Sequence, residues 1–203
     1  MQLEPDKALK PGQSLCLDLI YSPSKRGLTP ETTFKHYILA VDAYSRYPFL
    51  QGLLCTKAVD VIQAVKFICS QMLNYVGQTQ IVLTKRIQAD YGSVFTSEDF
   101  QKLCIDSNCR LTVAAPKHLE MNSIVERTWQ SLNLIKNALI VHARVDETTS
   151  HFALLHAIEI FVRVTMRKLR KNGQLTTCYE LLTGQKPKLN RFRVLFCPII
   201  VKK

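Results

Sequence analysis

The sequence predicts an α/β protein, a five-stranded mixed sheet whose first three strands are antiparallel, flanked by helices. Three observations carry this expectation. Three strand-like apolar runs follow one another closely before residue 56. The apolar period then changes from two to between three and four. After that, strand-like and helical stretches alternate to about residue 171.

Residues 1–13 form a polar lead-in with Pro5, Pro11 and Gly12. Residues 14–21 (SLCLDLIY) are apolar around a single acid, as in a buried strand. Residues 22–33 carry Pro23, Gly27 and Pro30 and read as a loop. Two further strand-like runs, 36–44 (HYILAVDAY) and 47–55 (YPFLQGLLC), leave only Ser45 and Arg46 between them, which points to an antiparallel meander.

Over 57–76, Val61, Val65, Ile68, Met72 and Tyr75 recur at helical spacing, and Gly77 is placed to stop the helix. Residues 80–89 return to strand character and end at Asp90–Tyr91–Gly92, a turn signal. Ser97, followed by Glu98 and Asp99, opens a short helix to about 107. A fifth strand is expected at 110–114 and a long helix at about 120–142, with Val125, Trp129, Leu132 and Leu139 on its core face. A helix over about 149–171 follows. The tail, 172–203, holds a short helix near Tyr179–Leu182 and a strand-like run, VLFCPIIV. The expected organisation is a lead-in (1–13), a core (14–171) and a basic C-terminal extension (172–203).

The formal net charge is +11, from 27 basic and 16 acidic residues. Its distribution is uneven: residues 163–203 hold eleven Lys and Arg against one acid, Glu180. A local field of that sign attracts polyanions, nucleic acid first and acidic membrane second. The seven cysteines are odd in number and form no C-x-x-C pair, which favours free thiols in a reducing compartment. Neither a signal peptide nor an apolar run long enough for a membrane span is evident, so an intracellular protein is expected.

Three acids stand in places suited to chemistry. Asp18 lies inside an apolar strand, where a carboxylate is costly unless paired or bound to metal. Asp90 follows the end of another strand. Glu126 belongs to a polar stripe with Gln130, Asn133 and Asn137, separate from the core face of its helix. Taken singly, an edge Asp, a turn-forming Asp and a solvated Glu are each the simpler explanation.

Taken with their flanks, the sequence resembles the integrase core of retroviruses and long-terminal-repeat retrotransposons, most closely the copia type. The matching stretches are Leu17–Asp18–Leu19, Val41–Asp42–Ala43–Tyr44–Ser45–Arg46–Tyr47, Asp90–Tyr91–Gly92–Ser93–Val94–Phe95 and Asn122–Ser123–Ile124–Val125–Glu126–Arg127. A last one, Tyr179–Glu180–Leu181–Leu182–Thr183–Gly184–Gln185–Lys186–Pro187, resembles the segment that follows the core in copia-type elements. Between Asp90 and Glu126 lie 35 residues, the interval of that family.

The resemblance implies a ribonuclease H-like fold and a magnesium-dependent nucleotidyltransferase and endonuclease. Its catalytic acids, which are also its metal ligands, fall on Asp18, Asp90 and Glu126. An all-carboxylate set suits hard cations, Mg²⁺ or Mn²⁺. Two ions are expected, Asp18 touching both and the other two acids completing one each. In the family, water first trims the element's DNA end, and the freed 3′-hydroxyl then attacks target DNA. Asp42 matches a recurrent family Asp that is not catalytic, and is expected to hold a strand end with Ser45 and Arg46.

DNA, both element ends and target, is therefore the expected partner, with contacts mostly to phosphates. Candidates are Asn122, Arg127, Gln130, Asn133 and Lys136 near the acids, and the cluster Arg167, Lys168, Arg170 and Lys171 farther off. That cluster also suits a helix end complementing the helix dipole. Joining two ends implies a homo-oligomer, and work on chromosomal DNA implies the nucleus.

Ser123, Leu119 and Val94 depart from the usual Gly, Pro and acidic residue of the family. They bear on efficiency more than identity. No zinc-binding His and Cys pairs precede Asp18, so a fragment of a polyprotein, or an open reading frame trimmed to its core, is expected. The competing expectations are a degenerate or domesticated core that only binds DNA or protein, and a related transposase or RNA-hybrid nuclease. The Tyr179–Pro187 segment argues against the latter.

Overall fold

The structure, a computed structural model, describes residues 10–21, 33–77, 84–113, 123–168, 174–193 and 195. Its elements run in the order β1 (Ser14–Tyr21), β2 (His36–Asp42), β3 (Pro48–Leu53), α1 (Ala58–Tyr75), β4 (Arg86–Ala89), α2 (Glu98–Asp106), β5 (Arg110–Val113), α3 (Ser123–Ala143), α4 (Ser150–Val164), β6 (Met166–Lys168), β7 (Leu175–Thr177) and α5 (Cys178–Thr183).

Five strands form one mixed sheet in the order β3-β2-β1-β4-β5. The closely joined first three strands pair antiparallel, β1 with β2 and β2 with β3, as their short connections require. β4 and β5 each arrive after a helix and pair parallel, β4 on β1 and β5 on β4. In β2 every residue from Tyr37 to Asp42 is buried. Side chains alternate across a strand, so both faces of the sheet centre are covered. α1 packs on β3 and β2, while α3 packs on β2 and β1 and is itself backed by α4.

Local sequence accounts for the ends of these elements. Gly77 takes a φ of 72° just after α1, a region an L side chain resists. The Ser97 hydroxyl accepts from the Phe100 N–H and caps α2. The β2–β3 hairpin turns on Asp42, which is fully buried. Its carboxylate accepts from the Ser45 N–H at 2.7 Å, the Ser45 hydroxyl at 2.6 Å and the Gly12 N–H at 2.9 Å. Arg46 closes the turn with a φ of 63°. Asp42 therefore acts as expected, and it also ties the lead-in to the sheet.

The structure corrects the sequence reading at 149–171. The helix there stops at Val164, and Thr165 is extended. Met166–Lys168 then pairs antiparallel with Leu175–Thr177 as a separate two-stranded ribbon. The β-branched pair Val164–Thr165 weakens helix continuation, and strand pairing supplies the backbone bonds the helix would have made. Arg167 and Lys168 thus lie on a strand, and the helix-dipole argument does not reach them. The run VLFCPIIV lies outside the described residues except for Leu195. Of the six described cysteines, all free, five are buried and Cys55 is exposed. Among the described residues no helix is long and apolar enough to cross a membrane.

Candidate active site

Strand register brings the first two acids together. The last pair between β1 and β4 is Leu17 with Ala89. The next residue on β1 is Asp18 and the next on the other strand is Asp90, where β4 leaves the sheet. Adjacent strands lie about 4.8 Å apart, so these two backbones are neighbours although 71 residues intervene.

The turn after β4 is tightly built. Asp90 Oδ1 accepts from the Gly92 N–H at 3.3 Å. The Gly92 carbonyl accepts in turn from the N–H groups of Phe95, at 3.0 Å, and Thr96, at 3.2 Å. Phe95 is buried edge-on against Phe100 and anchors the loop to the core. A Cβ on Gly92 would stand 3.1 Å from Asp90 Oδ1 and 3.4 Å from the Phe95 ring. Glycine at this position therefore leaves room for the carboxylate.

The third acid comes from the first turn of α3, with Val125, Thr128 and Leu132 buried beneath it and Glu126 exposed. The charges of the other two acids act on Asp18. Asp18 is pushed up from its ordinary value of 3.8 to about 6, by burial first, then by the negative charge of Asp90. The Leu19 N–H opposes the rise, and the charge of Glu126 adds to it.

The side chains do not form a closed coordination cage: among the described residues no three His, Cys, Asp or Glu side chains make a metal-holding group. The donor set nevertheless fits a hard divalent cation. All three groups are carboxylates, and the partly buried Asp18 resists ionisation in a way that a cation would relieve.

The other expected site residues scatter. Arg127 and Gln130 are exposed on α3, in line with the polar stripe of Glu126 and Asn137. Asn133 and Lys136 are half-buried and line a cavity of about 250 Å³ with Tyr21, Tyr37, Trp129 and Leu154. Burial lowers the affinity of the Lys136 amine for its proton, and Glu147 partly offsets this. Arg167 donates to the Tyr44 carbonyl at 2.9 Å and so braces the β2–β3 turn. The side chain of Lys168 and all of Asn122, Arg170, Lys171 and His118 lie outside the described residues. His151 stacks on Tyr37 at 5.9 Å and shares a 3.3 Å hydrogen bond with its hydroxyl, a structural role.

Sequence reasoning missed a second polar region. Arg163 sits over the rings of Tyr179, at 4.9 Å, and Phe192, at 5.8 Å. The available signal was the dense positive charge after residue 162, but its spatial grouping depends on the unforeseen chain reversal at Thr165.

This sheet order and its flanking helices are those of the ribonuclease H-like fold of retroviral integrase catalytic cores. Solved structures of that fold match most of the chain. The magnesium-bound catalytic core domain of HTLV-2 integrase superposes with a TM-score of 0.58, at 18% identity, over 85% of this chain and 97% of that one. The catalytic core domain of BIV integrase gives 0.57, at 17% identity, over 85% of this chain and 95% of that one. A chain of the simian T-cell lymphotropic virus intasome gives 0.65, at 16% identity, with 98% of this chain matched to 63% of that one. In sequence, the chain is a distant relative of the Pro-Pol polyprotein of feline foamy virus, 28% identical over 114 residues. The matched region is 56% of this chain and spans only 9% of the polyprotein's length. No protein-family model matches the sequence.

Proposed function

We propose that the chain is the catalytic core of a retroelement integrase, a polynucleotidyl transferase that trims element DNA ends and joins them to target DNA. The observation that carries this reading is the placing of Asp18 on β1 beside the end of β4, from which Asp90 follows, with the charge of Glu126 also disfavouring ionisation of Asp18. Asp18, Asp90 and Glu126 would hold Mg²⁺ or Mn²⁺. When bound, two such ions polarise the scissile phosphate and stabilise the attacking and leaving oxygens of an in-line displacement.

The chain's own residues set the geometry. Asp18 is half-buried on a central strand, paired with Leu39 of β2 on one side and one residue past the last β1–β4 pair on the other. Asp90 is oriented by the Gly92 N–H, in a loop anchored by the buried Phe95. Glu126 rides on a helix whose opposite face is locked into the core. Exposed Arg127 and Gln130, one and four residues farther along α3, are placed to meet DNA phosphates beside the acids. No side chain need form a covalent bond to DNA: water and then a DNA 3′-hydroxyl are the nucleophiles.

The relatives support partners of the same kind. One is a chain of an intasome, and the HTLV-2 core domain has been solved in dimeric and trimeric forms. On this reading the chain works as a homo-oligomer on DNA, and in the nucleus when the target is chromosomal.

The test is a strand-transfer assay with a labelled element-end duplex and Mn²⁺ or Mg²⁺. The wild-type protein is expected to cut and join, and Asp18→Asn to lose both activities while still binding DNA. Equal activity of the two proteins contradicts the assignment. A second reading, a core that binds DNA without cutting it, is favoured by Ser123 and Val94, which depart from the family pattern. It predicts no metal-dependent product from the wild type.

A further inference from the structure

Away from the three acids, the chain builds a second polar surface between the C-terminal half of α4 and the segment after α5. It encloses a cavity of about 380 Å³. Its floor is Arg163, ion-paired to Glu159 one helical turn earlier and held against the rings of Tyr179 and Phe192. That pairing neutralises Arg163 and stiffens the wall.

Its rim is Lys186, Lys188 and Arg193. Among the described residues neither lysine takes part in an ion pair, and both are exposed. The rim is held in place by the turn after α5. Gly184 takes a φ of 72°, and the Thr183 hydroxyl accepts from the Gln185 N–H at 3.1 Å. Arg193 is braced by donating to the Asn190 and Phe192 carbonyls. The result is a rim of three cations around an aromatic-lined hollow whose one carboxylate, Glu159, is already paired with Arg163.

We propose that this surface binds the phosphodiester backbone of DNA away from the reacting end. Three observations select a nucleic acid. The rim carries three positive charges with no acidic residue among them. It belongs to a stretch, 163–203, that holds eleven basic residues and one acid. Finally, it lies near Tyr47, which feels the charges of Arg163 and Tyr179, at the end of the sheet where β1 begins. Asp18 stands farther along β1, and Asp90 follows the parallel neighbour β4, so one molecule can grip a strand at a point away from the chemistry. The proposal rests on the reading of the chain as a DNA-joining core and adds the residues that hold the distal DNA.

Binding is measured by fluorescence anisotropy with a short labelled DNA duplex, in EDTA, over a range of salt. Three proteins are compared: wild type, Lys186→Gln with Lys188→Gln, and a control of equal charge change on α1 and α2, Lys66→Gln with Lys102→Gln. All four lysines are exposed, and circular dichroism checks the fold. Loss of two phosphate contacts should weaken binding about tenfold at moderate salt and flatten the salt slope by about two. The control should bind like wild type.

Equal affinity in both variants, or equal loss in both, overturns the surface. So does a rim variant that loses binding of poly-glutamate but not of DNA, since an acidic peptide is then the partner. If the surface fails while the wild type still joins ends, only this inference falls. If the wild type neither binds nor joins DNA, the functional reading falls with it.

Discussion

Asp18 is where the cost of the site is concentrated. A strand interior holds its carboxylate partly out of water, and two like charges face it, so the neutral acid is favoured up to about pH 6. The folded-state value is raised above the unfolded one. The associated stability is therefore fully present below about pH 4 and is lost as the pH rises through about 6. The size of the effect is about 1–2 kcal/mol after discounting for solvent screening. Thermal melts in EDTA should show the protein losing stability across that window, and Asp18→Asn should flatten the loss. Millimolar Mn²⁺ at pH 7.5 should raise the wild-type melting temperature and leave the variant unmoved. A melting curve indifferent to both pH and Mn²⁺ would contradict the charge cluster. Of the individual residues, the partly buried position of Asp18 was legible in the sequence, because it is the one acid in its apolar strand-like run. The positions of Asp90 just after a strand and of Glu126 on a helix were legible too, but a turn Asp and a helix Glu are ordinary, and only the family resemblance singled them out. The Gly12 bond to Asp42 was not legible, because no local pattern announces a contact across 30 positions.

At the scale of elements, the turn from Asp90 to Ser97 sets where the Asp90 carboxylate points. Its glycine is needed for room beside the Asp90 carboxylate more than for backbone freedom. Gly92→Ala should therefore reduce strand transfer severalfold or more while changing the melting temperature little, since the neighbour to be displaced is a carboxylate and not a packed core group. Activity assayed beside thermal unfolding checks this, and parallel loss of both would assign the glycine to folding instead. Elements with one dominant signal were read well from sequence: the apolar strands of the meander, the period of α1, the capping Ser97 of α2 and the two-faced pattern of α3. The ribbon of β6 and β7 was missed. Its strands are three residues each, and Met166–Arg167–Lys168 is compatible with helix by local preference. Only a partner from the other side of the turn decides between the two states, and that partner is remote information.

For the molecule as a whole, the order β3-β2-β1-β4-β5 rests on long-range pairings that a single sequence does not display. The expected class and strand count were correct, and the resemblance of the motifs supplied the topology that periodicity could not. The same limit applies to the expected extension at 172–203. Its first elements are not detached: β7 pairs with β6, and Cys178 and Leu182 are part of the hydrophobic core. Deleting residues 172–203 should therefore lower the melting temperature markedly, since loss of a buried Leu alone costs about 2–5 kcal/mol. An unchanged melt would show the core to be self-sufficient without them.

The account as a whole depends on three carboxylates acting as one ligand set. Crystals of the protein soaked in Mn²⁺ and measured at the manganese absorption edge test this directly. The anomalous map should show density between Asp18, Asp90 and Glu126, and none there in crystals of Asp18→Asn. Manganese bound only elsewhere, or Glu126 turned away from an occupied Asp18–Asp90 pair, would contradict it.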